Sequence, residues 1–405
     1  MKFVARDACR AVKSLSEQFP ALLVTGARQV GKTTLLRHLA GEERGFVTLD
    51  DPIARSLARN DPVTFLRTFP APVIIDEIQY APNLLPYIKI AVDGDPEAVG
   101  MYWLTGSQPF RLMRGVSESL AGRIAIFPIG GISQREECGW NNTPPFCPGL
   151  EKAPSGYEST KPTEIFERIF RGAFPALVSG RVRDVDAFYR SYVQTYLERD
   201  IRDLTRVSDE SLFLGFLRVA AARTGQLLNL SEMARDVGIS VPTAKAWLSL
   251  LETSGLVFLL HPFSRNLTSR IVKTPKLYFL DTGLASYLAG WPSAESLFAG
   301  TMSGAILETF VVSEIVKRAW NNGLEPRIWF YRDNAGVEVD LLIENAGRFH
   351  PIEVKRTASP SLSDAVAFEK VAKRGVPLAH GAIVCLATGS VPLSSDIDIV
   401  NAGMI

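Results

Sequence analysis

The sequence predicts an α/β fold whose first unit is a parallel sheet, and three observations carry that expectation. The apolar run Ala21–Thr25 has the length of a buried strand and passes straight into Gly26-x-x-x-x-Gly31-Lys32-Thr33, after which residues 33–40 carry helical patterning. A second apolar run, 72–75, ends on the adjacent carboxylates Asp76 and Glu77. A third, 101–106, leads into Ser107 and Gln108. Strands of a parallel sheet are apolar on both faces because helices cover both, and ligands bind beyond their C-terminal ends.

Strand, glycine loop and helix in that order form a phosphate cradle. Glycines at both ends let the backbone wrap a phosphate and turn its N–H groups inward, and the following helix adds the positive end of its dipole. The expected nucleotide-binding residues are Gly26, Ala27, Arg28, Gln29, Val30, Gly31, Lys32, Thr33 and Thr34. Lys32 would bridge the outer phosphates of ATP and the Thr33 hydroxyl would ligate Mg²⁺. Asp76, at the end of its strand, would hold the same Mg²⁺, and Glu77 would orient or deprotonate the attacking water. Ser107 and Gln108 would reach the terminal phosphate or that water.

Phosphate loop, Asp-Glu strand and Thr-Gly-Ser-Gln strand come in the order that resembles AAA-type P-loop ATPases, over about the first 130 residues. The resemblance implies a first sensor on the third strand. It also implies an arginine that acts on a neighbouring subunit's nucleotide from just before the fifth strand. Arg123, which follows Ser119-Leu-Ala-Gly122 and precedes the apolar run 124–129, is the candidate, with Arg111 and Arg114 as neighbours. A homo-oligomer, with a ring as its natural form, follows from that role. The resemblance further implies a helical lid over the nucleotide, with Arg171 as a second sensor.

Composition bounds the remainder. With 405 residues and 46% hydrophobic content, the chain accommodates two to four domains with ordinary cores. It has no apolar run of membrane-spanning length and its first residues lack a signal-peptide pattern, so a soluble cytoplasmic protein with no membrane association is expected. The four cysteines are scattered and read as reduced structural thiols. A formal charge of +1 means that any nucleic-acid surface must be local.

The expected units are an ATPase core over 1–135, a loop or insertion over 136–165, a helical lid over 166–210, a winged helix over 211–290 and a last domain over 300–405. The segment 139–156 is rich in Gly, Asn and Pro, and 186–204 reads as a long amphipathic helix. In the winged helix, Ser240 caps a helix whose Ala244, Trp247, Leu248 and Leu251 recur at helical spacing, leaving Lys245 to face outward. Arg265, Arg270, Lys273 and Lys276 then make a basic wing suited to DNA phosphates.

The last domain begins with an apolar helix carrying Glu308, then strands carrying Asp340 and Glu353-x-Lys355. Residues two apart on a strand share a face, so Glu353 and Lys355 point the same way. Two carboxylates and an ammonium suit metal-assisted phosphodiester cleavage, with Asp340 and Glu353 on Mg²⁺, Lys355 beside the attacking water and Glu308 completing the set. That order resembles the restriction-endonuclease-like fold.

Nearly the full chain is similar to a prokaryotic family of ATP-binding proteins that join an AAA-type domain to a C-terminal domain of unknown function. The matching stretches are GARQVGKTTLL, IIDEIQ, LTGSQ, ESLAGR, YLERDIRDL, KLYFLDTGL, GAILETFVVSEI, VEVDLLIE and PIEVKRT. The resemblance implies ATPase activity with ATP and Mg²⁺. The sequence leaves three readings of its use: an oligomeric motor on duplex or branched DNA, a nucleotide-gated signalling switch with protein contacts at the winged helix, and an ATP-gated Mg²⁺-dependent nuclease.

Overall fold

The computed structural model describes residues 3–106, 119–150, 157, 159–197, 210–264 and 274–405. Its first sheet is parallel and five-stranded, in the order β2-β3-β4-β1-β5. The strands are β1 (Ala21–Thr25), β2 (Gly45–Thr48), β3 (Val73–Asp76), β4 (Tyr102–Gly106) and β5 (Ile124–Pro128). Both β1 and β4 are buried along their whole length, the pattern of strands covered on two faces. The order places β4 between β1 and β3, so their three C-terminal ends lie side by side at one edge.

Alternate residues of β1 serve two different cores. Ala21 and Leu23 face a cluster with Phe65, Leu85 and Ile88 that belongs to the first unit alone. Leu22 and Val24 face a larger cluster that continues through Phe166, Phe216, Trp247, Phe310 and Met404. The parallel sheet therefore shares one continuous core with every later unit. Burying each such large side chain contributes about 1.5–3 kcal/mol, so separating the units would expose a costly surface.

After β5 the chain makes a short helix, Gln134–Glu137, closed by a capping box on Ser133. Gln134, Arg135 and Glu136 are all buried. Phe146, Cys147 and Thr160, within the stretch expected as a loop or insertion, are buried as well. The helices Pro162–Arg171, Pro175–Val178 and Val185–Tyr192 follow. The long amphipathic helix expected over 186–204 continues past Tyr192 only as a π-helical turn, Val193–Leu197. The rest of it lies outside the described residues.

Helices Glu210–Ala222, Leu230–Val237 and Val241–Thr253 accompany a three-stranded antiparallel sheet, order β6-β8-β7, in which β6 (Gln226–Leu227) comes between the first two helices and β7 (Val257–Leu260) and β8 (Lys276–Phe279) follow the third. The turn between the second and third helices uses Gly238 in the left-handed region, φ 78°, and Ser240 Oγ accepts from Thr243 N at 3.2 Å. Ala244, Trp247, Leu248 and Leu251 form the buried stripe that their spacing predicts. Arg265, Arg270 and Lys273 lie outside the described residues.

The last unit opens with the helix Ser303–Asn321 and builds a six-stranded mixed sheet, order β13-β14-β12-β11-β10-β9. Its strands are β9 (Ile328–Arg332), β10 (Glu338–Asn345), β11 (Arg348–Lys355), β12 (Gly381–Cys385), β13 (Val391–Pro392) and β14 (Ile397–Asn401). A register shift between Val339 and Leu342 bends β10 where Asp340 sits.

Candidate nucleotide site and carboxylate cluster

The phosphate loop closes the C-terminal end of β1, and its backbone has the conformations that its glycines permit. Gly26 has φ 141° and Gly31 φ 95°, the latter at the N-cap of the helix Lys32–Leu39. A methyl group on Gly26 would stand 2.3 Å from the Ile129 carbonyl oxygen. Only glycine lets the chain after β5 close against the loop here.

Lys32 is buried, and its ammonium donates to the carbonyls of Gly26 and Ala27 at 2.9 Å each. Thr33 Oγ1 donates to Asp76 Oδ1 at 2.6 Å. A hydroxyl and a carboxylate held together are hard oxygen donors of the kind Mg²⁺ takes, alongside phosphate oxygens and waters. These residues fit the metal and the nucleotide expected from the sequence. Thr33 and Asp76 would hold Mg²⁺ there, and the metal would supply charge neutralisation to the phosphates.

Two further hydroxyls complete the Asp76 environment. Thr105 Oγ1 donates to Asp76 Oδ1 at 2.6 Å and accepts from Glu77 N at 3.1 Å, and Thr48 Oγ1 donates to Asp76 Oδ2 at 3.2 Å. Glu77 itself has φ 57°, a left-handed conformation uncommon for a residue with a side chain. Gln79 Nε2 donates to its Oε2. The Glu77 carboxylate thus leaves the strand at an angle set by Thr105 on one side and Gln79 on the other. Thr48, Gln79 and Thr105 escaped the sequence reading, although Thr105 lies in the same Thr-Gly-Ser-Gln stretch that singled out Ser107 and Gln108. Those two lie outside the described residues.

A cavity of about 370 Å³ opens over the loop, lined by Arg28, Gln29, Lys32, Thr33, Thr34 and Glu77 among others. Phe3, whose ring stacks on His38 with centroids 3.8 Å apart, forms part of one wall. Pro175, Ala176, Ser179 and Arg181 form part of another, so the segment expected as a lid does reach the cavity. Arg171, expected as the second sensor, pairs instead with Glu137. Arg181 is the arginine of this segment that lines the cavity, because the chain turns back toward it only after the helix Pro175–Val178.

Arg123 lies elsewhere. Ala21 pairs in register with Ile124, so Arg123 sits at the N-terminal edge of the sheet, about 17 Å of strand from its own phosphate loop. There it pairs with Asp93.

Arg6 joins the phosphate loop to the chain beyond β5. Its guanidinium donates to Val30 O at 3.1 Å, Gly130 O at 2.8 Å and Gly131 O at 3.1 Å, and its Nε to Glu136 Oε1 at 3.1 Å. Glu136 also accepts from Asp7 N, Ser133 N and Asn321 Nδ2. One buried carboxylate therefore ties together the N-terminal segment, the phosphate loop and the C-terminal unit.

The winged-helix expectation needs one correction. Lys276, assigned to an exposed basic wing, is 4% exposed, because β8 is the central strand of its sheet and buried throughout. Its ammonium lies 3.0 Å from Glu308 Oε1, 2.8 Å from Glu338 Oε1 and 3.8 Å from Asp340 Oδ1. Lys245 is exposed on the helix Val241–Thr253, as expected.

The carboxylates of the last unit are therefore brought together in part. Asp340 Oδ2 accepts from Val354 N at 2.9 Å, Tyr278 OH donates to Glu308 Oε1 at 2.6 Å, and Lys355 Nζ pairs with Glu353 Oε1 at 2.6 Å. Burial, followed by the nearby Asp340 charge, pushes Glu308 and Glu353 up to about 7, and burial raises Asp340 as well. Burial works against the Lys276 charge, but Glu308, Asp340 and Glu338 outweigh it and hold its pKa above the ordinary lysine value. Among the described residues, no group of three or more His, Cys, Asp or Glu is arranged to hold a metal ion. The Mg²⁺ site expected at Asp340 and Glu353 does not fit this arrangement, since an ammonium already stands among the carboxylates. No described helix is long and apolar enough to cross a membrane.

Three stretches of the chain match known protein families. Residues 18–138 match an AAA domain, 303–405 match a domain of unknown function (DUF4143), and 162–295 match another (DUF8612). The chain is 30% identical over 406 residues to the uncharacterized protein Rv2008c of Mycobacterium tuberculosis, covering 99% of this chain and 84% of that one. The uncharacterized protein Mb2031c of Mycobacterium bovis matches to the same extent. Among solved structures, the Walker-type ATPase PABY2304 of Pyrococcus abyssi aligns at 17% identity with a TM-score of 0.44, over 70% of this chain and 94% of that one. The RuvB Holliday junction branch migration motor of Thermotoga maritima aligns at 15% identity with a TM-score of 0.29, over 62% and 85%.

Proposed function

The chain belongs to the family of these mycobacterial proteins, in which an AAA domain precedes a C-terminal domain of unknown function, and from that premise we propose that it is an ATPase whose turnover acts on DNA. In this reading Lys32 leaves the Gly26 and Ala27 carbonyls to meet the outer phosphates, and Thr33 and Asp76 hold the metal. Glu77, aimed by Thr105 and Gln79, takes the proton of the attacking water. Arg123 acts on the nucleotide of a neighbouring copy in a homo-oligomer, since its own loop is out of reach.

The observation that supports coupling of turnover to the unit bearing Lys245 is the closeness of Gly255 to the phosphate loop. A methyl group on Gly255, in the turn between the helix Val241–Thr253 and β7, would lie 3.4 Å from Ala27 N of the phosphate loop. Ala27, Val30, Gly255 and Leu256 line one small cavity. A rearrangement of the loop on hydrolysis would press on the hinge of the winged helix, whose exposed Lys245 faces solvent. Arg265, Arg270 and Lys273, in the intervening segment, would supply phosphate contacts.

The test is ATP turnover against a panel of duplex, branched and single-stranded DNA at several salt concentrations. Stimulation that falls steeply with salt, is weakened by Lys245→Ala and is lost with Lys32→Ala is expected. Turnover unchanged by every nucleic acid would favour the signalling switch instead. The gated-nuclease reading loses support from the position of Lys276.

A further inference from the structure

Asp281 follows β8 closely and caps the helix Thr282–Leu288, its Oδ1 accepting from Leu284 N at 2.7 Å. A cap needs no more than that. The same carboxylate also reaches a segment 108 residues earlier, where its Oδ2 accepts from Ala173 N at 2.7 Å. The buried Tyr189 OH donates to Oδ1 at 2.7 Å, and burial, followed by the Asp281 charge, pushes that hydroxyl well above its ordinary value. It therefore keeps its proton and serves the carboxylate.

Gly172 and Gly283 make room for this junction. Gly172 has φ 77°, and a methyl group there would overlap the Tyr189 hydroxyl and stand 2.6 Å from Asp281 Oδ1. One on Gly283 would overlap the same hydroxyl and stand 2.7 Å from Gly172 N. Close approach of this kind fixes the Gly172–Ala173 backbone against Asp281.

Ala173 is held from its other side as well, since its carbonyl accepts from Ile132 N at 2.8 Å. Further along, Pro175 opens the helix Pro175–Val178 and lies against the phosphate loop: a methyl group on Gly31 would stand 3.6 Å from Pro175 Cγ. Pro175, Ala176 and Ile132 all line the cavity over the loop. A carboxylate at the end of β8 thus fixes one wall of that cavity.

On the proposal that ATP occupies this cavity, we infer that Asp281 is a positioning residue for the nucleotide: it holds the Gly172–Ala173 backbone so that Pro175 and Ala176 present a formed wall. Its role is in affinity, since Glu77 is aimed separately by Thr105 and Gln79.

The experiment measures the Kd of a fluorescent ATP analogue and turnover at saturating ATP, both on the full chain. Asp281→Asn puts an amide NH₂ where a donor already stands. It should raise Kd about tenfold, the loss of one hydrogen bond to a charged acceptor, with kcat within about twofold of wild type. Asp281→Ser still caps its helix but falls short of Ala173, so it should raise Kd equally and carries the test if Asp281→Asn does not fold. Asn229→Ala removes the cap of the helix Leu230–Val237 and should leave Kd unchanged. Equal Kd for wild type and a folded Asp281 variant would overturn the inference. So would an equal rise with Asn229→Ala, because destabilisation alone would then explain it. Wild type that binds no analogue would overturn the ATP site itself, and the role of Asp281 with it.

Discussion

Gly26→Ala offers a direct measure of how closely the phosphate loop is built. The added Cβ would stand 2.3 Å from the Ile129 carbonyl oxygen, whereas carbon and carbonyl oxygen ordinarily approach no closer than about 3.3 Å. Loop and carbonyl must therefore separate by about 1 Å. Misplacement of that size at a catalytic centre costs on the order of a hundredfold in rate, or about 2.7 kcal/mol of barrier. Gly41→Ala is the matched control. Gly41 also has a positive φ, 64°, but a methyl group there meets nothing within 4 Å, so it adds backbone strain without a clash. Phosphate release would be measured for both variants, together with binding of a fluorescent ATP analogue. Turnover near one hundredth of wild type is expected for Gly26→Ala and near wild type for Gly41→Ala. Equal turnover in the two variants would refute the assignment of the cradle.

Three other outcomes follow from the same geometry. Arg123→Ala should lower turnover by a factor of at least about a thousand while leaving nucleotide binding intact, and mixing it with Glu77→Gln should restore activity. Mixed copies join an intact arginine to an intact Glu77, so failure of the mixture to recover would place Arg123 outside the site. Glu136→Ala should destabilise the fold by about 3–5 kcal/mol, read as a lowered denaturation midpoint, because it leaves Arg6 buried without its carboxylate. Finally, Glu308 is pushed from the ordinary 4.5 up to about 7 by burial and the Asp340 charge, so the folded chain holds this proton more firmly than the unfolded one. Its stabilisation is present below pH 4.5 and fades as pH rises to about 7, by up to about 3 kcal/mol. Glu308→Gln should flatten that part of the stability profile, and parallel profiles for variant and wild type would contradict it.

The parallel sheet and its site were legible because their signals are local. A buried strand is an apolar run, and the glycine positions, Lys32, Thr33, Asp76 and Glu77 follow at spacings that the chain itself sets. The helix cap at Ser240 and the stripe through Trp247 are likewise written within a dozen residues. Arg171 and Lys276 were misplaced for the opposite reason. Both are cations whose roles depend on partners distant in sequence: Glu137 for the first, and Glu308, Glu338 and Asp340 for the second. A basic residue beside a loop reads as a surface charge until its strand proves to be the middle one of a sheet.

The sequence by itself determined that an AAA-type phosphate loop stands near the start of this chain and that capped helices and a carboxylate-bearing α/β unit follow. Hydrophobic period, glycine position and caps are properties of neighbouring residues, so they can be read in order. Tertiary structure alone decided that one core runs through all the units, that Thr105 and Gln79 aim Glu77, and that Gly255 and the phosphate loop line one small cavity. It also turned a presumed DNA contact into the counter-ion of a buried acidic pocket. Burial converts an exposed charge into an obligate pair, and which charges are buried is settled only when distant segments pack.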